Sequence, residues 1–206
     1  MGRPAKFDRD EAVQIALDAF WSDGYEASSV KALSEKMGMT RSSFYNAFGT
    51  REALFRETLR FYTQRSPDRT LDEVDFDDTS WSVRELITRV FASIVHVRGQ
   101  EPDGRGCMIV NAITELADKP DHEIGRLVCE FIQGSTQRFQ TLLEWGVDRG
   151  ELPPDYPVRA SALALQNLMV GMNVMAKVDR TEAGLRQISD ITLKGLGLYQ
   201  SPAPAH

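Results

Sequence analysis

Apolar residues recur every three or four positions along most of this 206-residue chain, and no stretch alternates apolar and polar residues long enough to suggest a sheet. This pattern predicts an all-α protein of about nine helices. The first helix runs from about Arg9 to Ser22, because Asp8 can cap its amino end and Asp23-Gly24 ends the apolar repeat.

Three shorter helices follow in the first third of the chain. Ser28 or Ser29 can cap the second helix, and Thr40 can cap the third. Thr50 can cap a fourth helix, which fades near residue 65. Glycines separate these segments, so each helix is expected to be short and to pack on its neighbours.

Residues 66–80 hold six acidic residues and a proline, which predicts a solvated linker rather than a helix. Apolar repeats then resume and predict five more helices. One of these is apolar nearly all round as far as Ala176, so it needs partners on every side. The five helices begin at Ser82, at Cys107, at Pro120-Asp121, near Pro157 and after Thr181.

The charge is unevenly divided along the chain. A net charge of −6 for the whole chain argues against a nucleic-acid partner, but the two parts of the chain differ in charge. Residues 1–65 contain 10 Lys and Arg against 9 Asp and Glu, whereas residues 66–206 contain 14 against 21. Since phosphate contacts need a local basic face and not a basic protein, only the first segment is a candidate for DNA binding.

The sequence lacks the residue patterns that several classes of function require. Two cysteines do not make a disulfide framework, and the histidines at positions 96, 122 and 206 show no metal-ligand spacing. No Ser-His-Asp arrangement or phosphate-binding glycine loop is present. We therefore expect a protein that is not an enzyme and uses no metal or cofactor.

Signs of export or membrane insertion are also missing from the sequence. No apolar run follows the charged start, so we expect a cytoplasmic protein. Residues 160–176 carry no formal charge, but Gln166, Asn167 and Asn173 would be costly in hydrocarbon. A buried helix is the better interpretation, and no membrane partner is expected.

The third helix carries the most informative pattern. Steps of about 100° per residue place Phe44, Ala47 and Phe48 on one side. The opposite side offers hydrogen-bonding groups where a solvated face would usually carry Glu and Lys. Such groups can bind base edges and phosphates in a DNA major groove, although two ordinary packed helices joined through glycine are the alternative. The outward residues are Arg41, Ser42, Tyr45 and Asn46, and Ser43 beside them is a further candidate for DNA contact.

The residues on either side of this helix favour the same interpretation. Helix amino ends present free N–H groups to phosphates, and a basic arm at the chain start can follow the DNA backbone unless it is simply disordered. The candidates are Arg3 and Lys6 in the arm, Ser28, Ser29 and Lys31 at the second helix, Thr40 at the third and Arg51 at the fourth.

The segments Gly24–Val30, Met37–Phe48 and Thr50–Leu54 together resemble the TetR/AcrR family of bacterial regulators, over about residues 8–62. The resemblance implies a homodimer that binds double-stranded operator DNA through three helices and a small-molecule effector through a divergent helical domain. The implied division is a helix-turn-helix DNA-binding domain over 1–49, a connecting helix over 50–65, a ligand-binding and dimerisation domain over 66–200 and a disordered tail over 201–206.

Family roles can be carried over to matching positions. The resemblance implies phosphate contacts for Ser28, Tyr45 and Arg51, and it implies base contacts for Lys31, Ser42 and Asn46. Ser42 stands where the family often has glycine, and Asn46-Ala47 stands where it often has two histidines. The operator sequence is therefore not implied, and repressor and activator both stay open.

Residues 106–117 resemble a subgroup that includes the N-ethylmaleimide-responsive repressor, in which a cysteine near this place senses electrophiles. Cys107 follows Arg105 and opens a predicted helix, and both features favour a thiolate. The alternative is that Cys107 is a small buried hydrophobe. Cys129, in the middle of a helix, is interpreted as core.

The second half also offers residues suited to an apolar pocket with a few polar groups. Core packing or a dimer interface is the alternative for each of them, and the family implies a four-helix interface between two copies. The candidates beside Cys107 are Phe91, Val95, Met108, Phe131, Trp145 and Met169 for the walls, and Asn111, Gln166 and Asn173 for orienting a ligand.

Overall fold

A computed structural model describes residues 8–64, 74–75, 80–101, 103–119 and 121–201 of the chain. Within these residues the fold is all-helical, as the apolar repeats predict, and it contains nine α-helices and no strand. The helices are α1 (Arg9–Asp23), α2 (Val30–Lys36), α3 (Arg41–Phe48), α4 (Arg51–Thr63), α5 (Val83–Gly99), α6 (Met108–Leu116), α7 (Glu123–Asp148), α8 (Val158–Met175) and α9 (Glu182–Gly195).

Most helices begin where side-chain caps were predicted. The Ser82 hydroxyl accepts from the Glu85 N–H, and the Glu85 carboxylate accepts from the Ser82 N–H, which completes a capping box at α5. α7 begins two residues later than Asp121, because the Gly125 N–H donates to Nδ1 of His122 at 3.3 Å. The other confirmed caps are Asp8, Ser29, Thr40, Thr50 and Thr181.

The described residues pack as two compact units, and the first consists of residues 8–64 together with 111–128. In this unit α1 packs on α4 and α2, and α3 packs on α2 and α4. Its centre is a cluster of aromatic rings in which Phe20, Tyr25 and Phe55 lie 4.9 to 5.8 Å apart between centroids. Buried aromatic rings contribute much of a core's stability, so this cluster fixes the relative positions of the short helices.

The second unit contains the described residues of 66–110 and 129–201. α5 packs against α8 and α9, and the rings of Phe91 on α5 and Phe139 on α7 stack at 6.0 Å. The core also takes in Leu165 and Met172 from α8 and Leu193 from α9. No described helix meets the length and hydropathy that crossing a membrane would require.

The two units that pack together differ at one segment from the domains that the sequence predicts by function. Residues 111–128, which the sequence interpretation assigns with the rest of 66–200, pack with the amino-terminal helices. Ala112, Leu116 and Ile124 from this segment are buried. The predicted linker lies mostly outside the described residues, as do Arg3, Lys6 and the tail after Ser201.

Candidate functional site

The short helix α3 divides sharply into a buried face and an exposed face. Phe44 and Phe48 are 0% and 6% exposed, whereas the Tyr45 side chain between them is 53% exposed. The remaining predicted contact residues of α3 share the exposed face with Tyr45. They are Arg41, Ser42, Ser43 and Asn46.

The carboxyl end of α3 is held by Arg9 of α1, a residue that the sequence indicates only as a helix start. The Arg9 guanidinium donates to the Ala47 carbonyl oxygen at 2.6 Å and lies 4.9 Å from the centre of the Phe48 ring. It also pairs with the Glu57 carboxylate of α4 at 2.7 Å. Arg9, at the start of α1, thus connects the carboxyl end of α3 with the middle of α4 and fixes the direction in which α3 presents its outer face.

The turn before α3 is organised by local side-chain caps. The Thr40 hydroxyl accepts from the Ser43 N–H at 3.1 Å, and Gly38 takes a φ of +64° that a side chain would strain. Ser29 caps α2, because its hydroxyl accepts from the Ala32 N–H, and Ser29 is exposed. Ser28 is buried instead, and its hydroxyl donates to the Gly24 carbonyl at 2.7 Å, so Ser28 supports this turn and does not join the exposed group.

Arg51, the first residue of α4, is positioned by Tyr25. Its guanidinium lies 4.0 Å from the centre of the Tyr25 ring and donates to the Tyr25 carbonyl oxygen at 3.3 Å. The Tyr25 hydroxyl donates to the Glu52 carboxylate at 2.8 Å. Burial of the phenol, reinforced by this hydrogen bond, raises the pKa of Tyr25 well above its ordinary value.

The turn that carries Tyr25 is clasped by Glu115 from the last turn of α6. The two carboxylate oxygens of Glu115 accept from the Tyr25 N–H at 2.9 Å and from the Glu26 N–H at 2.8 Å. Lys119 donates to the Glu26 carboxylate at 3.1 Å, and this hydrogen bond lowers the pKa of Glu26. We call this arrangement the Glu115 clasp. Nothing in the local sequence signals it, because its partners are about 90 residues apart.

A second ion pair ties the same segment to α4. The Arg56 guanidinium pairs with the Glu123 carboxylate at the start of α7, with one donor nitrogen at 3.1 Å. On α2, Lys31 is exposed and lies 3.9 Å from Glu35, one turn further along the helix. The side chain of Lys31 is 65% exposed, so it is accessible to a partner molecule.

In the second unit, the predicted pocket residues are buried to different degrees. Cys107 is a free thiol of intermediate exposure that directly precedes α6, and Arg105 beside it pairs with Glu101 at 3.4 Å. Asn111 belongs to the first unit, so it is not among these residues. Phe91, Val95, Met108, Gln166, Met169 and Asn173 are buried, and Phe131 and Trp145 are half-buried.

Comparison with known proteins identifies the architecture. Residues 13–58 match the bacterial regulatory proteins of the tetR family, and residues 86–191 match the tetracyclin repressor-like C-terminal domain. The HTH-type transcriptional repressor ComR of Escherichia coli K12 is 30% identical over 94% of this chain and 90% of its own length. This chain belongs to the TetR family of transcriptional regulators.

Further TetR family relatives align over nearly the whole chain. The HTH-type transcriptional repressor DhaR of Mycobacterium sp. GP1 is 27% identical over 91% of both chains. A cysteine mutant of the TetR family regulator CifR, solved with 26-base-pair operator DNA, has a TM-score of 0.78 and 31% identity. The similarity to CifR covers 93% of this chain and 98% of that one.

These relatives confirm three predictions for this TetR family member. The family itself, the helical architecture with an amino-terminal helix-turn-helix, and a regulator in place of an enzyme were all indicated by the sequence. The individual DNA-binding and ligand-binding residues stay predictions. The structure brings Lys31, Tyr45 and Asn46 to exposed positions on neighbouring helices of one unit.

Proposed function

We propose that this TetR family protein is a repressor that acts in the cytoplasm as a homodimer on a palindromic operator. The observation that carries the proposal is the two-faced α3, whose Phe44 and Phe48 anchor it while Tyr45 and Asn46 face outward. Two copies would place their α3 helices in successive major grooves, about 34 Å apart. Ser42, Asn46 and Lys31 would contact bases.

Other predicted contact residues of this unit suit the phosphate backbone. Tyr45 and Arg51 would contact phosphates on either side of the groove, with Thr40, Arg41 and Ser43 at the amino end of α3. The free N–H groups at the starts of α2, α3 and α4 favour anions for the same reason. Arg3 and Lys6 stay candidates for a minor-groove arm, and they lie outside the described residues.

A direct experiment is titration of the purified protein with the DNA upstream of its own gene and of the neighbouring genes. We expect one short palindrome to bind at least about 1000-fold more tightly than a scrambled duplex of the same composition. The same affinity for both duplexes would contradict the proposal, since it would leave only the sequence-independent phosphate attraction.

The proposed dimer interface is an apolar surface on α8 and α9. Leu163 and Val174 on α8 are 55% and 43% exposed, and Ile191 on α9 is 70% exposed. A Cβ at Gly171, on the same helix, would meet nothing within 4 Å in the described part of the chain. Apolar side chains around a glycine allow two helices to approach closely, which supports pairing through this face.

Replacing Ile191 by glutamate should convert the dimer into a folded monomer. The new charge would be buried against its own copy across a twofold axis, which disfavours association. Without the second half-site in place, operator affinity should fall by at least about 100-fold. Analytical ultracentrifugation and operator titration would measure both effects, with Gln137→Glu on the exposed side of α7 as the matched control. A fully dimeric Ile191→Glu variant would exclude this interface.

The effector response is proposed to act through Cys107, through a reversible small ligand, or through both. An electrophile such as N-ethylmaleimide would react with Cys107, with a bond forming between Sγ and one carbon of the maleimide double bond while the other carbon takes up the proton that the thiol releases. Cys107 precedes α6 and Glu115 lies in the last turn of the same helix, so a displacement of α6 would strain the Glu115 clasp. The clasp in turn positions Tyr25, on which Arg51 rests.

Cys107→Ser should separate the two routes of release. N-ethylmaleimide should weaken operator binding of the parent protein by at least about tenfold and should leave the Cys107→Ser variant unchanged. Cys129→Ser, which removes the half-buried thiol of α7, is the matched control and should respond as the parent does. Fluorescence anisotropy with labelled operator measures the change. Equal release from both variants would remove Cys107 from the mechanism and leave a reversible ligand.

A further inference from the structure

Two amide side chains on α8 are buried without the hydrogen bonds that such groups need. Gln166 and Asn173 are each 5% exposed. Neither Nε2 nor Oε1 of Gln166 has a hydrogen-bond partner among the described residues, and Oδ1 of Asn173 has none either. The Asn173 Nδ2 donates to the Met169 carbonyl oxygen at 2.8 Å.

Both side chains lie on one face of the helix. Their positions differ by seven, which corresponds to about two turns, about 10 Å along the axis and a net rotation of about 20°. The same buried side of α8 carries Ala162 and Met169, and both belong to the apolar core of the second unit. Gln166 and Asn173 therefore point into the interior of this unit.

A buried amide without partners is costly, and native proteins contain few of them. A leucine at position 166 would fill a similar volume and would carry no polar atom. The presence of an amide at this position is therefore explained better by recognition of a polar group than by packing.

The unused atoms define the chemistry of the group they would bind. Gln166 offers one NH2 donor and one carbonyl acceptor, and Asn173 offers a second carbonyl acceptor. A ligand that satisfies all three must carry one acceptor and two donors, as a primary amide does. A carboxylate has only acceptors, so it would leave both carbonyl oxygens unsatisfied.

The buried charge nearby does not favour an anion. Arg98 is 3% exposed, but its guanidinium already donates to the Glu101 carboxylate at 3.0 Å and to the Gly106 carbonyl oxygen at 2.7 Å. Its charge is therefore largely compensated within the unit. An uncharged ligand avoids the cost of placing a new ion in this apolar core.

The position of Asn173 links this site to the start of α6. Gly106 approaches α8 so closely that a Cβ on it would lie 2.7 Å from the backbone carbonyl oxygen of Asn173. Cys107 is the next residue of the chain. A ligand that shifts Asn173 would thus press on the segment that leads into α6.

We propose that Gln166 and Asn173 bind an uncharged effector that has an apolar body and a polar head with both a donor and an acceptor. This inference rests on the proposed function, since it names the class of effector for the same domain. It also names a chemical class of ligand for reversible release from DNA, a route that does not require the Cys107 thiol.

The test compares three probes of similar shape, which are benzamide, benzoate and toluene, at millimolar concentration. Thermal unfolding of the full-length protein should shift most with benzamide, less with toluene and least with benzoate. In Gln166→Leu the benzamide shift should fall to that of toluene or below. Gln137→Leu, at an exposed position of α7, is the matched control and should behave as the parent does.

The unliganded proteins provide a second readout. Gln166→Leu should melt about 2–4 °C higher than the parent without any probe, because an unpaired buried amide is removed. A lower melting temperature would overturn the proposal, since it would show that the amide is satisfied within the folded protein. A shift with benzoate that equals or exceeds that with benzamide would overturn it as well.

Operator binding without probes keeps this inference distinct from the proposed function. Gln166→Leu should bind the operator as tightly as the parent does, because the substitution lies in the second unit. If the parent protein shows no sequence-specific binding, the proposed function fails. If operator binding is intact while the probe order or the melting temperature contradicts expectation, only the effector class fails.

Discussion

Replacement of both Tyr45 and Asn46 by alanine should abolish operator binding and leave the protein folded. Both side chains are exposed on α3, and neither belongs to the buried set that holds the helix in place. Each well-placed contact to a base or phosphate contributes about 1–3 kcal/mol, and a dimer would lose four of them. The expected loss of affinity is therefore at least about 1000-fold, measured by anisotropy with labelled operator.

Single substitutions should distinguish the two kinds of contact. Tyr45→Phe removes only the hydroxyl and should weaken binding to all operator variants by a similar factor, as expected for a phosphate contact. Asn46→Ala should relax the preference at one position of each half-site. Gln137→Ala on α7 is the matched control. Unchanged affinity in the double variant, with an unchanged circular dichroism spectrum, would exclude the outer face of α3 as the DNA contact.

The second large effect is expected from the Glu115 clasp. Glu115→Ala removes the charged acceptor from two backbone N–H groups, those of Tyr25 and Glu26. Hydrogen bonds to charged groups contribute about 1.5–3 kcal/mol each, and the partly buried Tyr25 N–H would lose its partner. We expect the melting temperature to fall by about 6–12 °C, and operator affinity to fall as well because Tyr25 no longer holds Arg51 in place.

A control variant and an effector experiment test whether the effect is specific to Glu115 and whether the clasp transmits the signal. Glu130→Ala removes an exposed carboxylate from α7 and should change neither property. In Glu115→Ala, N-ethylmaleimide should still modify Cys107, as mass spectrometry would show, but should cause no further release of DNA. Full stability and a normal response in Glu115→Ala would mean that the clasp neither supports the turn nor transmits the signal.

The helices and the outer face of α3 could be predicted because the signals are local. The spacing of Phe44 and Phe48 alone fixes which residues of α3 point outward. The caps at Thr40 and Thr50 likewise depend on side chains within three residues of the bonds they make. These features follow from helix geometry and need no knowledge of the remaining chain.

The contacts that position the site could not be predicted in the same way. The bond from Arg9 to the Ala47 carbonyl spans 38 residues, and the Glu115 clasp spans about 90. Such pairings depend on how the helices pack, which a pattern along one chain does not encode. The grouping of residues 111–128 with the amino-terminal helices was missed for the same reason.

Adjacent residues of one type mark another limit of local patterns. Ser28 and Ser29 are both suitable caps by composition, and only the backbone geometry assigns the cap to Ser29 and buries Ser28. Burial of Gln166 is a related case. The sequence already predicts a buried helix here, and only the packed structure shows that the Gln166 amide has no hydrogen-bond partner among the described residues.

The protonation of Tyr25 has a consequence for salt dependence. Since its phenol stays neutral far into the alkaline range, Tyr25 holds Arg51 through its ring and its carbonyl oxygen and adds no opposing ion of its own. A tyrosinate there would offset the positive charge that a phosphate needs. Arg51 thus keeps its capacity to displace a counterion from a duplex, a contribution of about 0.9 to the logarithmic slope of affinity against salt for each protomer.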